Sequence, residues 1–236
     1  MSKAKKKSYI KRFLKWSLKL LIKFVFFLIL LTVTQVAILR YVDPPFTAGM
    51  AWGWVKHKVF KKEYAMPEYH WRPLKEISPL LIKAVMAGED QRFMSHHGFD
   101  FEEINQAVQD ILRNKRVRGA STITMQVARS LFLWQGRSLL RKALEAYYTI
   151  LMEVFLDKTR IIELYLNVVD WGTGVVGAEA ASQKYFQKSA ANINSSQAAG
   201  MAAILPNPHR WSPTSLESQV AERRKRIMRD MLEMHL

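Results

Sequence analysis

The chain has 236 residues, no cysteine and a formal net charge of +16. Its length suits one domain of ordinary size with an additional segment at one end. Without cysteine, a disulfide framework, a thiolate metal site and a cysteine nucleophile are excluded, and the compartment stays open. Ten lysines and arginines but no acidic residue lie within residues 1–40, so the rest of the chain carries only +6. The basic character belongs mainly to the N-terminus.

The N-terminal region contains an uncharged apolar run, FVFFLILLTVTQVAIL, at residues 24–39. Extended back to Leu20, it gives about twenty residues, enough to cross a hydrocarbon core of about 30 Å. Because lysines and arginines cluster before the run, the positive-inside rule predicts a basic cytoplasmic tail at 1–18 and a transmembrane anchor at 19–40. A cleaved signal peptide is the main alternative, although the run is long for one. A buried core helix is disfavoured because no polar residue recurs every three or four positions.

The segment 41–75 comes after the anchor and differs from it in composition. Asp43, Pro44 and Pro45 end the apolar helix, and the remainder of the segment is rich in aromatic residues, proline and lysine. Amphipathic rings and lysines are favoured at the headgroup level of a membrane. The segment is therefore interpreted as membrane-proximal, with an ordinary linker that packs on the domain as the alternative.

From residue 78 onward the pattern is almost wholly helical. Ser78 suits an N-cap and Pro79 the first helical position. The longest segment, 137–158, predicts a core-facing stripe formed by Leu140, Ala143, Tyr147, Ile150, Leu151 and Val154. Further helices are predicted within 101–115, 158–167, 174–186, 195–205 and 215–235. No stretch alternates well enough to build a sheet, so the domain at 76–236 is predicted to be mainly α.

The stretch AGEDQRFMSHHGFD, residues 87–100, offers three interpretations. A metal site at His96 and His97 is disfavoured, because adjacent helical side chains point about 100° apart and no third ligand has metal-site spacing. Glu89 ends an apolar helix just after a glycine, where partial burial would raise its pKa toward the range of a general base. The alternative is an ordinary helix-end carboxylate paired with Arg92.

A second candidate region is RVRGASTITMQVARS. Gly119 and Ala120 predict a close approach, and Ser121 predicts the N-cap of a helix carrying Thr122, Gln126 and Arg129 on one face. Backbone N–H groups in the first helical turn, with hydroxyls beside them, could cradle a phosphate. Simple helix capping is the alternative.

On the next predicted helix, Arg137, Arg141 and Glu145 recur every four residues. Two guanidiniums and a carboxylate therefore share one stripe, as a phosphate clamp beside an acid or base would require. A solvated ion pair between Arg141 and Glu145 explains the same spacing.

The motifs together resemble those of the glycosyltransferase family 51 peptidoglycan polymerases. EDQRFMSHHGFD is similar to the family pattern E-D-x-x-F-x-x-H-x-G-x-D, and GASTITMQ to G-G-S-T-I-T-Q-Q. RKALE, KTRIIELYLN, GTGVVGAEAASQKYFQK and MAAILPNPHRWSP follow in the family order within residues 76–212. The chain leaves no room for the transpeptidase domain of bifunctional members, which indicates the monofunctional branch. Met125 stands where the family has the first of two glutamines, and Arg129 where many members have lysine.

The resemblance implies a lysozyme-like α fold with a membrane-associated jaw, here assigned to 41–75. It implies polymerisation of lipid II, with undecaprenyl-diphosphate-linked glycan as donor, into β-1,4-linked strands with inversion at the anomeric carbon. Glu89 matches the general base and Glu145 the second family glutamate. The matching substrate-binding residues are Asp90, Ser121, Thr122, Gln126, Arg129, Arg137 and Arg141. Asp90 has bracing of the loop as its alternative.

The same motifs imply structural roles for Phe93, His96, Gly98, Gly119 and Asn167. No cofactor is expected to be required, and Glu145 is the expected place for any stimulating divalent cation, Mg²⁺ or Mn²⁺. Other cell-wall synthesis or divisome proteins are candidate partners, and moenomycin, a phosphoglycolipid that mimics the donor in this family, is the expected inhibitor. A lytic transglycosylase that cuts glycan is the rival enzyme. A nucleic-acid-binding protein is disfavoured because the excess charge lies on the tail and no recognition motif occurs.

Overall fold

The computed structural model describes residues 3–60, 66–113, 119–134, 136 and 138–234, with side chains from Arg12 onward. It divides into two compact units, Met1–Val42 and Asp43–Leu236. The family motifs all lie in the second unit.

The first unit contains one long helix, α1 (Lys3–Ile38). Its portion Arg12–Ile38 is long and apolar enough to cross a membrane. Phe24, Phe26 and Phe27 each expose more than half of their surface in this unit. Such a side-chain pattern fits a helix surrounded by lipid rather than one packed in a core. The prediction of one N-terminal apolar helix is confirmed.

The second unit is mainly helical, as predicted. The helices in its described part are α2 (Ala48–Phe60), α3 (Pro79–Glu89), α4 (Phe101–Leu112), α5 (Ile123–Phe132), α6 (Leu139–Phe155), α7 (Lys158–Val168), α8 (Ala178–Phe186), α9 (Ser195–Ile204) and α10 (Ser218–Glu233). Short 3₁₀ turns lie at Leu74–Glu76 and Ala190–Asn192. Ser78 is the N-cap of α3 and Pro79 its first residue, as predicted.

A small sheet accompanies the helices and was not predicted. It has the order β1 (Glu68–Tyr69), β3 (Val175–Val176), β2 (Asp170–Gly172). β1 runs parallel to β3, and β2 runs antiparallel to it. The sequence expectation of no sheet is wrong because strands of two or three residues are too short to show an alternating pattern.

Residues 43–60 and 66–75 belong to the second unit. Asn167 makes two hydrogen bonds to the backbone of Arg72: its Oδ1 accepts from the amide N–H at 2.8 Å and its Nδ2 donates to the carbonyl at 2.9 Å. Arg160 forms an ion pair with Asp43 at 2.8 Å. Both contacts are made by residues of α7, so this part of the chain packs on the region that contains the motifs.

The core is built around α3, which packs against α9 and α10. On α9, Gly200 allows the segment before α10 to approach closely, because a Cβ there would lie 2.7 Å from the carbonyl oxygen of Pro213. α5 packs in turn against α6 and α7. The C-terminal end of α3 lies between α5 and α10, because Glu89 contacts Gln126 of α5 and Arg223 of α10.

The orientation of α6 is opposite to the one predicted. Leu140, Ile150 and Val154, predicted to face the core, are 65%, 55% and 70% exposed. The buried residues of α6 are Arg141, Glu145, Tyr148, Thr149 and Met152. Helical periodicity identifies an apolar face but does not say whether protein or lipid covers it, so the predicted core stripe is wrong.

Candidate active site

Glu89 is the last residue of α3, and its carboxylate is held from two sides. Nη2 of Arg223, on α10, donates to Oε1 at 2.7 Å, and Nε2 of Gln126, on α5, donates to Oε2 at 2.9 Å. The Glu89 side chain is 12% exposed. Each carboxylate oxygen keeps a further lone pair, so the group can still accept a proton.

The surroundings of Glu89 shift its acidity in the direction that a general base requires. Burial raises its pKa above the ordinary value of 4.5. The charge of Arg223, the hydrogen bonds from Gln126 and Arg223, and the charge of Arg129 lower the pKa and offset only part of that effect. The structure thus brings together Glu89, Gln126 and Arg129, as the motifs predicted.

Arg223 was not identified from the sequence. It lies 134 positions from Glu89 and also donates to the carbonyl oxygen of Gly88 at 2.7 Å. Its neighbours Arg224, Lys225 and Arg226 carry the same charge. A helix of this composition is typical of a solvated face, and only the tertiary packing of α10 on α3 distinguishes Arg223 from the rest.

Asp90 braces the N-terminus of α5. Its Oδ2 accepts the backbone N–H of Ile123 at 3.0 Å, and its Oδ1 lies 2.9 Å from Nε2 of His96. Asp90 is 7% exposed. A carboxylate of the protein therefore already occupies the positive end of this helix, where the sequence analysis placed a phosphate. The bracing alternative for Asp90 and the structural role of His96 agree with this geometry.

Thr122, and not Ser121, is the N-cap of α5. The Thr122 hydroxyl accepts from the backbone N–H of Met125 at 3.3 Å and donates to the carbonyl of Gly98 at 2.7 Å. This hydroxyl is buried and already both donates and accepts within the protein, which fits helix capping. A role of Thr122 in substrate binding stays a prediction. Thr124 is likewise buried and donates to Glu153 at 2.6 Å.

Three of the residues that were given structural roles differ in how closely their surroundings pack on them. Gly98 has φ +83°, and a Cβ there would lie 2.7 Å from the Thr149 side chain, so only glycine fits. Phe93 is fully buried beneath Nζ of Lys158, which lies 4.5 Å from its ring centroid. Gly119 differs from the prediction, because in the described part of the chain a Cβ there would meet nothing within 4 Å.

The structure gathers Asp90, His96 and Asp100, whose ligand atoms lie within 4.8 Å of one another. Oδ2 of Asp100 accepts a hydrogen bond from Nε of Arg92 at 3.0 Å. Its Oδ1 accepts from the backbone N–H of Glu103 at 2.8 Å and thereby caps α4. With Asp90 bonded to Ile123, these carboxylates are committed to donors of the protein. The cluster therefore fits a bracing network rather than a metal site.

Glu145 lies on the buried face of α6 between two cations. Nη1 of Arg141 lies 2.7 Å from Oε2, and Nζ of Lys142 lies 2.7 Å from Oε1. Lys142, which the sequence analysis did not single out, also donates to Oγ of Ser121 at 3.4 Å. With both oxygens paired to fixed positive charges, the residues around Glu145 do not fit a divalent cation. Arg137 lies outside the described residues.

Met125, the departure from the family pattern, is 5% exposed on the buried side of α5. Gln126, the next residue, reaches Glu89. The glutamine that contacts the candidate base is therefore the one that this chain retains.

Comparisons with known proteins agree with the motif order. The profile of the family described as Transglycosylase matches residues 57–232. A protein of Shewanella oneidensis is 42% identical over 227 residues, covering 95% of this chain and 94% of its own. A protein of Pseudomonas fluorescens SBW25 is 48% identical over 206 residues, covering 86% and 84%. One of Caulobacter vibrioides is 41% identical over 203 residues, covering 85% and 86%. All three are named biosynthetic peptidoglycan transglycosylase.

Proposed function

Because the chain belongs to the transglycosylase family, we propose that it is a peptidoglycan glycosyltransferase that polymerises lipid II into β-1,4-linked glycan. The observation that carries the proposal is the placement of Glu89, a largely buried carboxylate with a raised pKa, fixed between Gln126 and Arg223. The biosynthetic names of the relatives do not favour the lytic alternative.

In this reaction Glu89 takes the proton of the acceptor 4-hydroxyl as its oxygen attacks the anomeric carbon of the donor. The new carbon–oxygen bond forms on the face opposite to the leaving group, so the configuration inverts. The bond from the anomeric carbon to the donor diphosphate breaks, and undecaprenyl diphosphate leaves with the electron pair. A base of raised pKa suits this step because its proton affinity approaches that needed at neutral pH.

The cations near the two glutamates are assigned to the donor. Arg129 is exposed on α5, and Lys142 is half exposed beside Ser121. Fixed positive charge of this kind would stabilise the departing diphosphate. Arg141 is buried against Glu145, so it is assigned to holding that carboxylate rather than to direct phosphate contact. Arg137 is placed here by its motif position.

The test is incubation of the purified chain with lipid II, followed by analysis of glycan length. Growth of strands with release of undecaprenyl diphosphate supports the proposal. Shortening of preformed glycan, without growth from lipid II, would instead identify a lytic enzyme.

The proposed location is the bacterial cytoplasmic membrane, with the N-terminus inside and the unit Asp43–Leu236 outside. The support is the apolar span of α1 and the cluster of lysines before it. Protease added to spheroplasts should then remove the C-terminal unit, and survival of that unit until lysis would contradict the orientation.

The membrane-associated part of this unit is proposed to extend beyond residues 41–75. Trp52 and Trp54 on α2 are 43% and 51% exposed, which fits the headgroup assignment. Leu112 on α4 and Val154 on α6 are 78% and 70% exposed and add apolar surface outside that segment. These exposed apolar side chains are proposed as further contacts with lipid. Other cell-wall synthesis proteins remain proposed partners.

A further inference from the structure

The guanidinium of Arg223 is committed to the end of α3. One nitrogen, Nη2, donates to both Gly88 O and Glu89 Oε1 at 2.7 Å. The Arg223 side chain is 19% exposed, and within the described part of the chain its buried Nε has no hydrogen-bond partner. A guanidinium this buried is costly unless it is paired, and the carboxylate that pairs with it is that of Glu89.

The chain is built to let α10 approach at this point. A Cβ added at Gly88 would lie 3.0 Å from Cδ1 of Ile227 and 3.6 Å from Nη2 of Arg223. Ile227 is 1% exposed and anchors α10 one turn beyond Arg223. The 3.6 Å separation from Arg223 is an ordinary van der Waals distance, so Gly88 marks where Ile227 packs closely on α3, beside the contact between Arg223 and Glu89.

The other carboxylate oxygen is held through a second residue. The Tyr165 hydroxyl donates to Oε1 of Gln126 at 3.3 Å, and Nε2 of Gln126 donates to Glu89. Tyr165 is fully buried, and its burial raises its pKa well above 10, so the phenol keeps its proton. A protonated phenol that donates to the amide oxygen turns the amide nitrogen toward Glu89.

We propose that Arg223 and Tyr165 are positioning residues for the general base: Arg223 fixes Oε1 of Glu89 directly, and Tyr165 fixes Oε2 through Gln126. This inference rests on the proposed function. It adds the C-terminal helix to the residues that the family motifs placed at the site.

The charged groups around Glu89 determine how a change at Arg223 acts. Arg223 and Arg129 both lower the pKa of Glu89. Tyr165 also interacts electrostatically with Glu89, while Asp90 acts on Tyr165 and Arg226 acts on Arg223. α9, which also packs on α3, contains no titratable residue. Without Arg223, one of the two positive charges that lower the pKa of Glu89 is gone. The effect of burial then raises this pKa further. A smaller fraction of the base is then ionised at neutral pH.

The experiment measures lipid II polymerisation by the full chain in detergent across pH, with kcat and KM separated. Arg223→Ala is expected to lower kcat by about tenfold to a hundredfold, the range for a charge-assisted hydrogen bond. The acidic limb of the pH–rate profile of this variant should move to higher pH. Arg223→Lys keeps the charge, so the limb should stay near that of the wild type. Tyr165→Phe should lower kcat by about threefold to tenfold, the range for a neutral hydrogen bond.

The matched control is Lys225→Ala, which removes one positive charge from an exposed position of the same helix and should leave kcat and the pH profile unchanged. Moenomycin affinity should be retained in all variants. An unshifted acidic limb in Arg223→Ala, or weaker moenomycin binding with an unchanged pH profile, would overturn the positioning role. If Arg223→Ala does not fold, wild-type kcat in both Arg223→Lys and Tyr165→Phe would overturn it. A wild-type chain that does not lengthen glycan contradicts the proposed function instead.

Discussion

Arg141 and Glu145 form an ion pair inside the protein, with Nη1 of Arg141 2.7 Å from Oε2 of Glu145 and only 1% of the glutamate side chain exposed. The second cation on Glu145, Lys142, has a side chain that is 48% exposed. The two pairs share one acceptor but differ in solvation. Their contributions to stability should therefore differ.

Arg141→Ala is expected to lower the free energy of unfolding by about 3–5 kcal/mol, because it leaves a buried carboxylate without its buried partner. Lys142→Ala should cost only about 0–1 kcal/mol, as for other solvent-exposed pairs. Thermal unfolding of both variants in detergent compares them directly. Equal losses of stability would contradict the assignment of Arg141 as the structural partner.

Glu145→Gln should weaken the binding of moenomycin by about tenfold or more, because Glu145 holds Lys142, the cation assigned to the donor diphosphate, and a charge-assisted contact made by a correctly placed cation is worth about 1.5–3 kcal/mol. The neutral amide leaves Arg141 and Lys142 without their counterion, and both would turn toward new partners. Glu89→Gln serves as the matched control and should bind moenomycin like the wild type, because Glu89 is assigned to the hydroxyl of the acceptor sugar and not to the donor. Equal moenomycin affinity in the two variants would remove Glu145 from the donor site.

Glu179 should make stability depend on acid. It is 3% exposed, and burial alone would raise its pKa, but hydrogen bonds from Ala190, Gln183 and Ser189 and the charge of Arg72 lower it below 4.5. Since the folded pKa lies below the unfolded value, its contribution is present above about pH 4.5 and is lost as pH falls through the folded pKa.

The measurement is the unfolding temperature as a function of pH for the wild type and Glu179→Gln. The variant should lose about 1–3 kcal/mol at neutral pH, because buried donors lose their charged acceptor. The difference in stability between the wild type and the variant should become smaller as the pH falls. Glu222→Gln, at an exposed position, should behave as the wild type. A gap that widens in acid would contradict the direction of the shift.

The exposed apolar residues of α4 and α6 should support membrane binding. Burying one such side chain contributes about 1.5–3 kcal/mol, so Leu112→Asp or Val154→Asp in a chain beginning at Asp43 should reduce binding to lipid vesicles at least tenfold. Stability should change little because both residues are exposed. Leu216→Asp, at an 86% exposed position on neither helix, is the control. Equal vesicle binding by all variants would place the lipid contact elsewhere.

The sequence motifs predicted the residues of the site that lie close together in the chain or that are fixed by local backbone chemistry. Glu89 at a helix end, Gly98 at a positive φ and Asn167 in its motif are of this kind. Solvent exposure was harder to predict from the sequence. The periodicity of α6 identifies an apolar face but does not show whether protein, lipid or water surrounds that face. The contact of Arg223 with Glu89 required the packing of α10 on α3, which no local pattern contains.

In the GASTITMQ segment, the sequence also did not determine which hydroxyl caps α5. Ser121 and Thr122 are adjacent and both are good N-caps, so composition does not choose between them. The choice of Thr122 depends on a long-range acceptor, the carbonyl of Gly98. Likewise, the free helix N-terminus inferred from the sequence is occupied by Asp90.

The role of Glu89 as general base can be measured through the rate at which Glu89→Gln forms glycan from lipid II. The substitution keeps the shape of the side chain but removes its ability to take a proton, so the rate should fall about a hundredfold to ten-thousandfold while circular dichroism shows an intact fold. His97→Ala, at an exposed position of the same motif, should retain the wild-type rate. Near wild-type polymerisation by Glu89→Gln would contradict the account.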